Sequence, residues 1–389
     1  MSNNRPTEVF PPGEFIREEL EARGWTQVDL AGIMDRPVPM INQIIMGHRG
    51  ITARTARELA AAFGTSAELW LNLQVAYLVS QDDSSQEDIV RRADLYRIAP
   101  VKTMELRGWI RKTKTLAELE AELHRFFGTN QINQLPPLRI AARSSAEPTP
   151  ETVSAQTCWG YRVLELASCL QAAKFSKSKV KAGLRQLRQL AKYPDAIRKV
   201  PRVLADMGIR FVIVEHLPRS KIDGASLLLG GSYPVIGMSI RYDRIDYFWH
   251  TLMHEIDHIL HDEPILDVNI DEADEGAIGD PDIANVEARA NNNAADMLIP
   301  RKELNSFIAR VGPLYSKERI NQFANRVGMH PGIIVGQLHH RHEIHYSTNR
   351  EMLMSVREIV VQEALTDGWG KSVGIVQRVS DYVQKENEN

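Results

Sequence analysis

The five residues His254-Glu255-Ile256-Asp257-His258 carry the most specific chemistry in the sequence. Histidines four positions apart share one helix face about one turn from each other, so both imidazoles can meet one ion at roughly 2.0–2.1 Å. Glu255 is rotated by about 100° from His254 along such a helix. It stands beside the ion rather than on it, where a carboxylate can take a proton from water and pass it to a leaving amine. Zinc suits this role: it brings the pKa of water in its coordination sphere to around 7 and polarises a scissile carbonyl. A catalytic zinc usually takes three protein ligands, so a third is required. His250 lies on the same stripe, but it is about 12 Å along the axis from His258, too far for one ion to bridge. Glu287 heads a run of small residues, Ala288, Ala290, Ala294 and Ala295, that can pack close to the first helix, and it is the preferred third ligand. Asp280, Asp282 and His261 are the weaker alternatives.

With 12 histidines in the chain, the motif arises by chance on the order of a few per cent of the time. Its flanks argue against chance. Phe248, Trp249, Leu252, Met253, Ile256, Ile259 and Leu260 make the helix substantially buried, and buried histidines demand partners. That helix is expected from near Asp243 through His261. A second, holding the candidate third ligand, runs from Glu287 to Leu298 and stops before Pro300, after an acidic loop from Asp262 to Asn285. Upstream, Ile209 to Glu215, Ala225 to Leu229 and Val235 to Arg241 are β-rich, the last two separated by Gly230-Gly231-Ser232.

The N-terminal residues 13–79 read as five helices. Thr26-Gln27-Val28-Asp29 has capping-box spacing, and Pro37 and Pro39 fall in a first turn, where a missing amide is tolerated. Residues 81–142 read as helical and surface-rich. Residues 143–156, RSSAEPTPETVSAQ, are polar and aperiodic, and read as a linker and domain boundary. The basic run from Lys174 to Arg202 reads as a solvated helix face.

The chain has 389 residues, enough for two or three domains, with 43% apolar and 25% charged residues and a net charge of −3. That balance excludes a disordered chain and a chain basic overall, so any DNA contact must be a local patch. Two cysteines, Cys158 and Cys169, form no disulfide framework and are expected as small core residues of a cytoplasmic protein. No membrane span is expected, because no run reaches roughly 20 apolar residues.

Two resemblances extend this reading. From Ala205 to Pro300 the chain resembles the ImmA/IrrE family of zincin-like peptidases, through His254-Glu255-x-x-His258 and Glu287-Ala-Arg-Ala-Asn-Asn-Asn-Ala-Ala-Asp-Met-Leu-Ile-Pro300. The departure is Asn293, where an aromatic or apolar residue is usual. The resemblance implies His254, His258 and Glu287 as ligands of Zn2+, Glu255 as general base, and a small mixed sheet over the helix. It also implies a regulatory protein as substrate. By zincin analogy, an edge strand such as Val235–Arg241 would hold extended substrate. The stretch from Ile320 to Leu338 resembles the helical part of the same family, and is expected to pack in the core.

The N-terminal block resembles the XRE helix-turn-helix class in its HigA antitoxin branch, through Pro12-Gly13-Glu14, Arg17-Glu18-Glu19-Leu20, Gly24, Thr26-Gln27, Leu30-Ala31, Ile41, Gly47, Arg49, Ile51-Thr52 and Trp70-Leu71-Asn72-Leu73-Gln74. Asp35 and Arg36 depart from the usual Gly and apolar residue in the turn. The resemblance implies that the helix from Pro37 enters the major groove, with Val38, Asn42 and Gln43 toward base edges. Arg36, His48, Arg49, Arg54 and Arg57 would face phosphates. Glu14, Glu18, Glu19 and Glu21 crowd the first helix, so useful affinity calls for a homodimer.

The expected fold class is α+β. It comprises an all-α helix-turn-helix domain at 11–79, a helical connector and linker at 80–156, a zincin-like peptidase domain at 157–349 with a small mixed sheet, and a helical extension at 350–389. The expected function is a DNA-binding regulatory zinc metallopeptidase that cuts a regulatory protein. The alternative is a repressor or antitoxin whose metal domain is a non-catalytic sensor or scaffold.

Overall fold

A computed structural model describes residues 9–81, 84–132, 135, 140–142, 149–263, 265–268 and 281–367. The chain divides between Ala93 and Asp94 into two compact units.

The first unit holds the expected helices, Pro12–Arg23, Gln27–Ile33, Val38–Ile45, Ala53–Phe63 and Ala67–Gln81. Thr26 and Asp29 form the capping box reciprocally, and Thr52 caps the fourth helix. Ile16, Leu20, Leu30, Ile41, Ile45, Leu59 and Trp70 close the core. Gly13 lets the first helix ride against the third, since a Cβ there would lie 2.0 Å from the Ile45 carbonyl oxygen. Asp35 has φ +48°. Glycine suits that left-handed turn best, and Asp tolerates it through local hydrogen bonding.

The second unit is built on a six-stranded sheet. Its strands are β1 (Ile140–Ala142), β2 (Arg210–Ile213), β3 (Ile222–Leu229), β4 (Tyr233–Met238), β5 (Ile265–Val268) and β6 (Leu365–Thr366), in the order β1-β5-β3-β4-β2-β6. β3 runs antiparallel to β4 and β5, while β2 is parallel to β4 and β6, and β1 to β5. Both faces of its centre are covered, so β2, β3 and β4 are buried along nearly their whole lengths. On one face Phe211, Ile213, Ile236 and Met238 pack with the helix Ile245–Leu260 and the helices after it. On the other, Val212, Val214, Ala225, Leu227 and Val235 pack with Trp159, Val163 and Leu166 of the helix Pro150–Ser168.

Four expectations need correction. Residues 94–132 are no connector: Leu95, Met104, Trp109, Ile110, Leu123 and Phe126 belong to the same core as the outer face of the sheet. The linker reading of 143–156 fails from Thr149 onward. Thr149 caps a helix with Pro150 in its first turn, and Ser154 and Gln156 are buried. The strand expected at Val235–Arg241 is central rather than an edge, flanked by β3 and β2, so its backbone groups have no room for a substrate strand. The helical extension from 350 instead returns to the sheet: Asp243 accepts from the amides of Val356 and Arg357, Val360 and Ala364 are buried, and β6 adds an edge strand. The expected residues 368–389 lie outside the described residues. Cys158 is a core residue, whereas Cys169 is exposed at a helix C-terminus. The helices Lys317–Val327 and Pro331–His340 pack in the core through Ile320, Phe323, Ile333 and Leu338.

Candidate metal centre

The helix Ile245–Leu260 lies between the sheet and the helix Pro281–Leu298, and packs against both. This sandwich fixes the rotation of the HExxH face. His254 Nε2 and His258 Nε2 stand 2.9 Å apart. Glu287 reaches across from the second helix, its Oε2 at 3.2 Å from His254 Nε2 and its Oε1 at 3.3 Å from His258 Nε2. One donor atom from each of the three lies within 4.8 Å of the others. Ligands of a tetrahedral zinc at 2.0–2.1 Å stand about 3.3 Å from each other. Two imidazoles and one carboxylate at this spacing therefore fit that ion. Burial pushes the Glu287 carboxyl up, but the hydrogen bonds from His254 and His258 outweigh it and hold the group well below the usual carboxylate range.

Glu255 is fully buried beside this cluster. Its carboxylate lies against the backbone of β3 at Gly224, where a Cβ would come 2.5 Å from Oε1 and 2.8 Å from the Thr251 methyl. The absence of a side chain at Gly224 is thus what gives Glu255 its place. His250 stands outside the cluster, with Nε2 3.4 Å from Asn291 Oδ1. His261 turns back on its own helix, Nδ1 lying 2.8 Å from the Asp257 carbonyl. Asp280 and the side chain of Asp282 lie outside the described residues.

A supporting layer emerges that sequence reasoning missed. His258 Nδ1 lies 3.3 Å from Glu263 Oε2, which leaves Nε2 to face Glu287. Arg289 donates to both Glu263 oxygens and, through Nε, to Asp257 Oδ2 at 3.1 Å. Asn293 Nδ2 donates to the other Asp257 oxygen at 3.0 Å. Asn293, the departure from the usual aromatic or apolar residue, is thus the partner of a buried acid inside the HExxH motif. The usable signal is Asp257 itself, a second acid between the two histidines of a buried helix.

In the N-terminal unit, Val38, Asn42 and Gln43 are exposed on the third helix, as are His48, Arg49, Arg54 and Arg57 around it. Arg36, expected toward phosphate, is half-buried and already paired within the unit. Its guanidinium donates from Nε and Nη2 to the two Glu58 oxygens, and that pairing raises its pKa further. Arg54 shares the same carboxylate at 3.0 Å.

Residues 16–70 match the family described as helix-turn-helix. Over 79 residues the chain is 39% identical to virulence-associated protein I of Dichelobacter nodosus, covering 20% of this chain and 73% of that protein. Over 75 residues it is 39% identical to an uncharacterized HTH-type transcriptional regulator of Haemophilus influenzae, covering 19% and 67%. Among solved structures, an addiction module antidote protein of the HigA family from Coxiella burnetii shares 39% identity over 19% of this chain and 83% of that one, with a TM-score of 0.19. Through its N-terminal unit the chain belongs to the helix-turn-helix family, a DNA-binding class. Among the described residues no helix is long and apolar enough to cross a membrane.

Proposed function

We propose that this chain is a DNA-binding regulator whose second unit is a zinc-dependent endopeptidase acting on a regulatory protein of repressor or antitoxin type. One observation carries the enzymatic part: His254, His258 and Glu287 converge within 4.8 Å, with the buried carboxylate of Glu255 next to them in the chain. The resemblance of Ala205–Pro300 to the ImmA/IrrE peptidases supports it further. When bound by these three residues, zinc would supply a Lewis acid for the scissile carbonyl and a lowered pKa for water. Glu255 takes the proton from the attacking water and delivers it to the leaving amine. Glu263 holds the His258 ring through Nδ1, and Gly224 leaves room for the Glu255 carboxylate.

The N-terminal unit tethers this site to DNA, with Val38, Asn42 and Gln43 toward bases and His48, Arg49, Arg54 and Arg57 toward phosphates. The HTH-type regulator among its relatives supports transcriptional control, and the acidic first helix supports binding as a homodimer.

A second reading has its own observation. His254, Glu255, His258 and Glu287 are at most 1% exposed, a burial that suits a metal held for structure or sensing as well as one held for catalysis. The deciding experiment loads the full chain with zinc and incubates it with regulators encoded beside it. Glu255→Gln keeps stoichiometric zinc and lowers kcat/KM by about 10²–10⁴ or more. Cleavage undiminished in that variant overturns the role of Glu255. Stoichiometric zinc that changes DNA affinity, with no cleavage of any of them, establishes the sensor instead.

A further inference from the structure

A cavity of about 70 Å³ lies beside the metal centre, in the second unit, between the first half of the helix Ile245–Leu260, the last turn of Pro281–Leu298 and the helix Pro331–His340. A water needs roughly 10–15 Å³ on the same measure, so the space holds a small group rather than one solvent molecule. Its apolar floor is Ala295, Leu298 and Ile333. Donors ring it: Arg244, Tyr247, His250, His340 and Arg341.

The charge of this ring is not balanced from within. Asp246, the one acid lining the cavity, is taken by Arg244, with Nε at 3.1 Å from Oδ1. Arg341 makes no ion pair among the described residues; its Nη1 donates to the neutral Asn305 Oδ1 at 2.7 Å. Arg301 is close enough to add its repulsion, and it too is held by an amide, Asn292 Oδ1 at 2.6 Å. Glu343 offsets Arg341 only in part, and it already accepts from Tyr315 Oη at 2.7 Å. Two polar atoms of the lining are buried without a hydrogen-bond partner: Tyr247 Oη and His339 Nδ1. His339 is 1% exposed, and its Nε2 is taken by the Thr348 carbonyl at 2.9 Å. With its proton given to Thr348 through Nε2, the His339 ring leaves Nδ1 as an acceptor, so the anion-binding groups of the lining are the partly offset Arg341 guanidinium and the buried Tyr247 hydroxyl, over an apolar floor that suits a short side chain.

We propose that this cavity binds a carboxylate, delivered by an acidic side chain of a bound peptide or by a free small carboxylate. Arg341 supplies the charge and Tyr247 a hydrogen bond. The His250 and His254 ring centroids are 6.3 Å apart. At about 3.3 Å per residue of extended chain, the acidic residue would lie roughly two positions from the bond over the metal site. Use as a substrate subsite rests on the peptidase reading; carboxylate capture does not.

The test titrates the full zinc-loaded chain with N-acetylglutamate methylamide, its glutamine isostere and propionate, following binding by calorimetry and histidine-ring NMR. The glutamate compound binds at least tenfold more tightly than the glutamine one, and Arg341→Gln removes that discrimination. Arg341→Lys retains part of it, and Tyr247→Phe weakens the glutamate compound in a background that keeps Arg341. Equal affinity for the glutamate and glutamine compounds overturns the proposal, and that comparison needs no variant. Propionate binding as tightly as the glutamate compound identifies a free carboxylate as the ligand; weaker binding identifies a peptide side chain. Binding persists in His254→Ala. Its loss there would place the carboxylate on the metal instead and overturn the assignment. Absence of peptidase activity with carboxylate binding intact would reject the enzyme and leave this site standing.

Discussion

Arg289→Met tests whether the metal centre depends on the layer behind it. The native guanidinium spans two acids, donating to both oxygens of Glu263 and to Asp257 Oδ2. Methionine keeps the apolar stem and removes every donor. Asp257, 1% exposed, then keeps Asn293 as its donor, with the His261 ring 3.4 Å away. Removing one partner of a buried ion pair costs about 3–5 kcal/mol. The lower end applies here, because Arg289 is itself 30% exposed and Asn293 remains. Glu263 also loses its anchor, and with it His258 loses a fixed partner for Nδ1. Loss of such an outer partner lowers metal affinity by about 10–100-fold, which is about 1.4–2.8 kcal/mol. Two measurements separate the effects: urea unfolding of the chelator-treated protein, and zinc competition against a chromophoric chelator. Arg289→Lys restores part of both. A folded Arg289→Met protein with unchanged zinc affinity would refute the idea that Glu263 and Arg289 orient His258. Unchanged stability of the metal-free form would refute the pairing with Asp257.

Zinc at a hundredfold its Kd should raise unfolding free energy by about 2.7 kcal/mol; His254→Ala and Glu287→Ala should lose that gain, and an identical Tm with and without zinc would reject the site. Arg49→Ala should weaken DNA binding and reduce the salt slope by about 0.9, while Asn42→Ala should cost about 1–3 kcal/mol at one base position and relax its preference. Gel shifts unchanged in both variants would dismiss this face as the DNA reader. Burial would raise the Glu122 pKa, but the Arg111 amide and the Arg125 guanidinium outweigh it and hold it below the ordinary value of 4.5. A lowered folded pKa means stability present above the unfolded pKa and lost as pH falls through the folded one. Glu122→Gln should therefore destabilise by about 1–3 kcal/mol at pH 7, with the gap to the parent closing at acid pH. A gap constant with pH would contradict the pairing.

Much of the candidate centre was legible because it is local. The four-residue spacing of His254 and His258 follows from one helical turn, and Glu287 needed only a second helix narrow enough to approach. The capping box at Thr26 and the break at Gly24 are likewise set within a few residues. Composition misled at Thr149-Pro150, where a polar stretch suggested a linker although Pro in a first turn also starts helices. A two-residue strand such as Leu365–Thr366 leaves no periodicity to read.

The sequence alone determined which residues are candidates for a metal centre, that the HExxH segment is a buried helix, and that the N-terminal block folds as helix-turn-helix. Tertiary structure decided who stands behind and beside them: Glu263, Arg289 and Asn293 around the ligands, Gly224 beneath Glu255, and Glu58 across from Arg36. It also decided that β4 is central and that residues 94–132 cover the sheet. The physical reason is range. Helix geometry and capping act over three or four residues, whereas strand order and ion-pair partners come from whichever distant segments bury apolar surface together, and an amphipathic face does not say against what it packs.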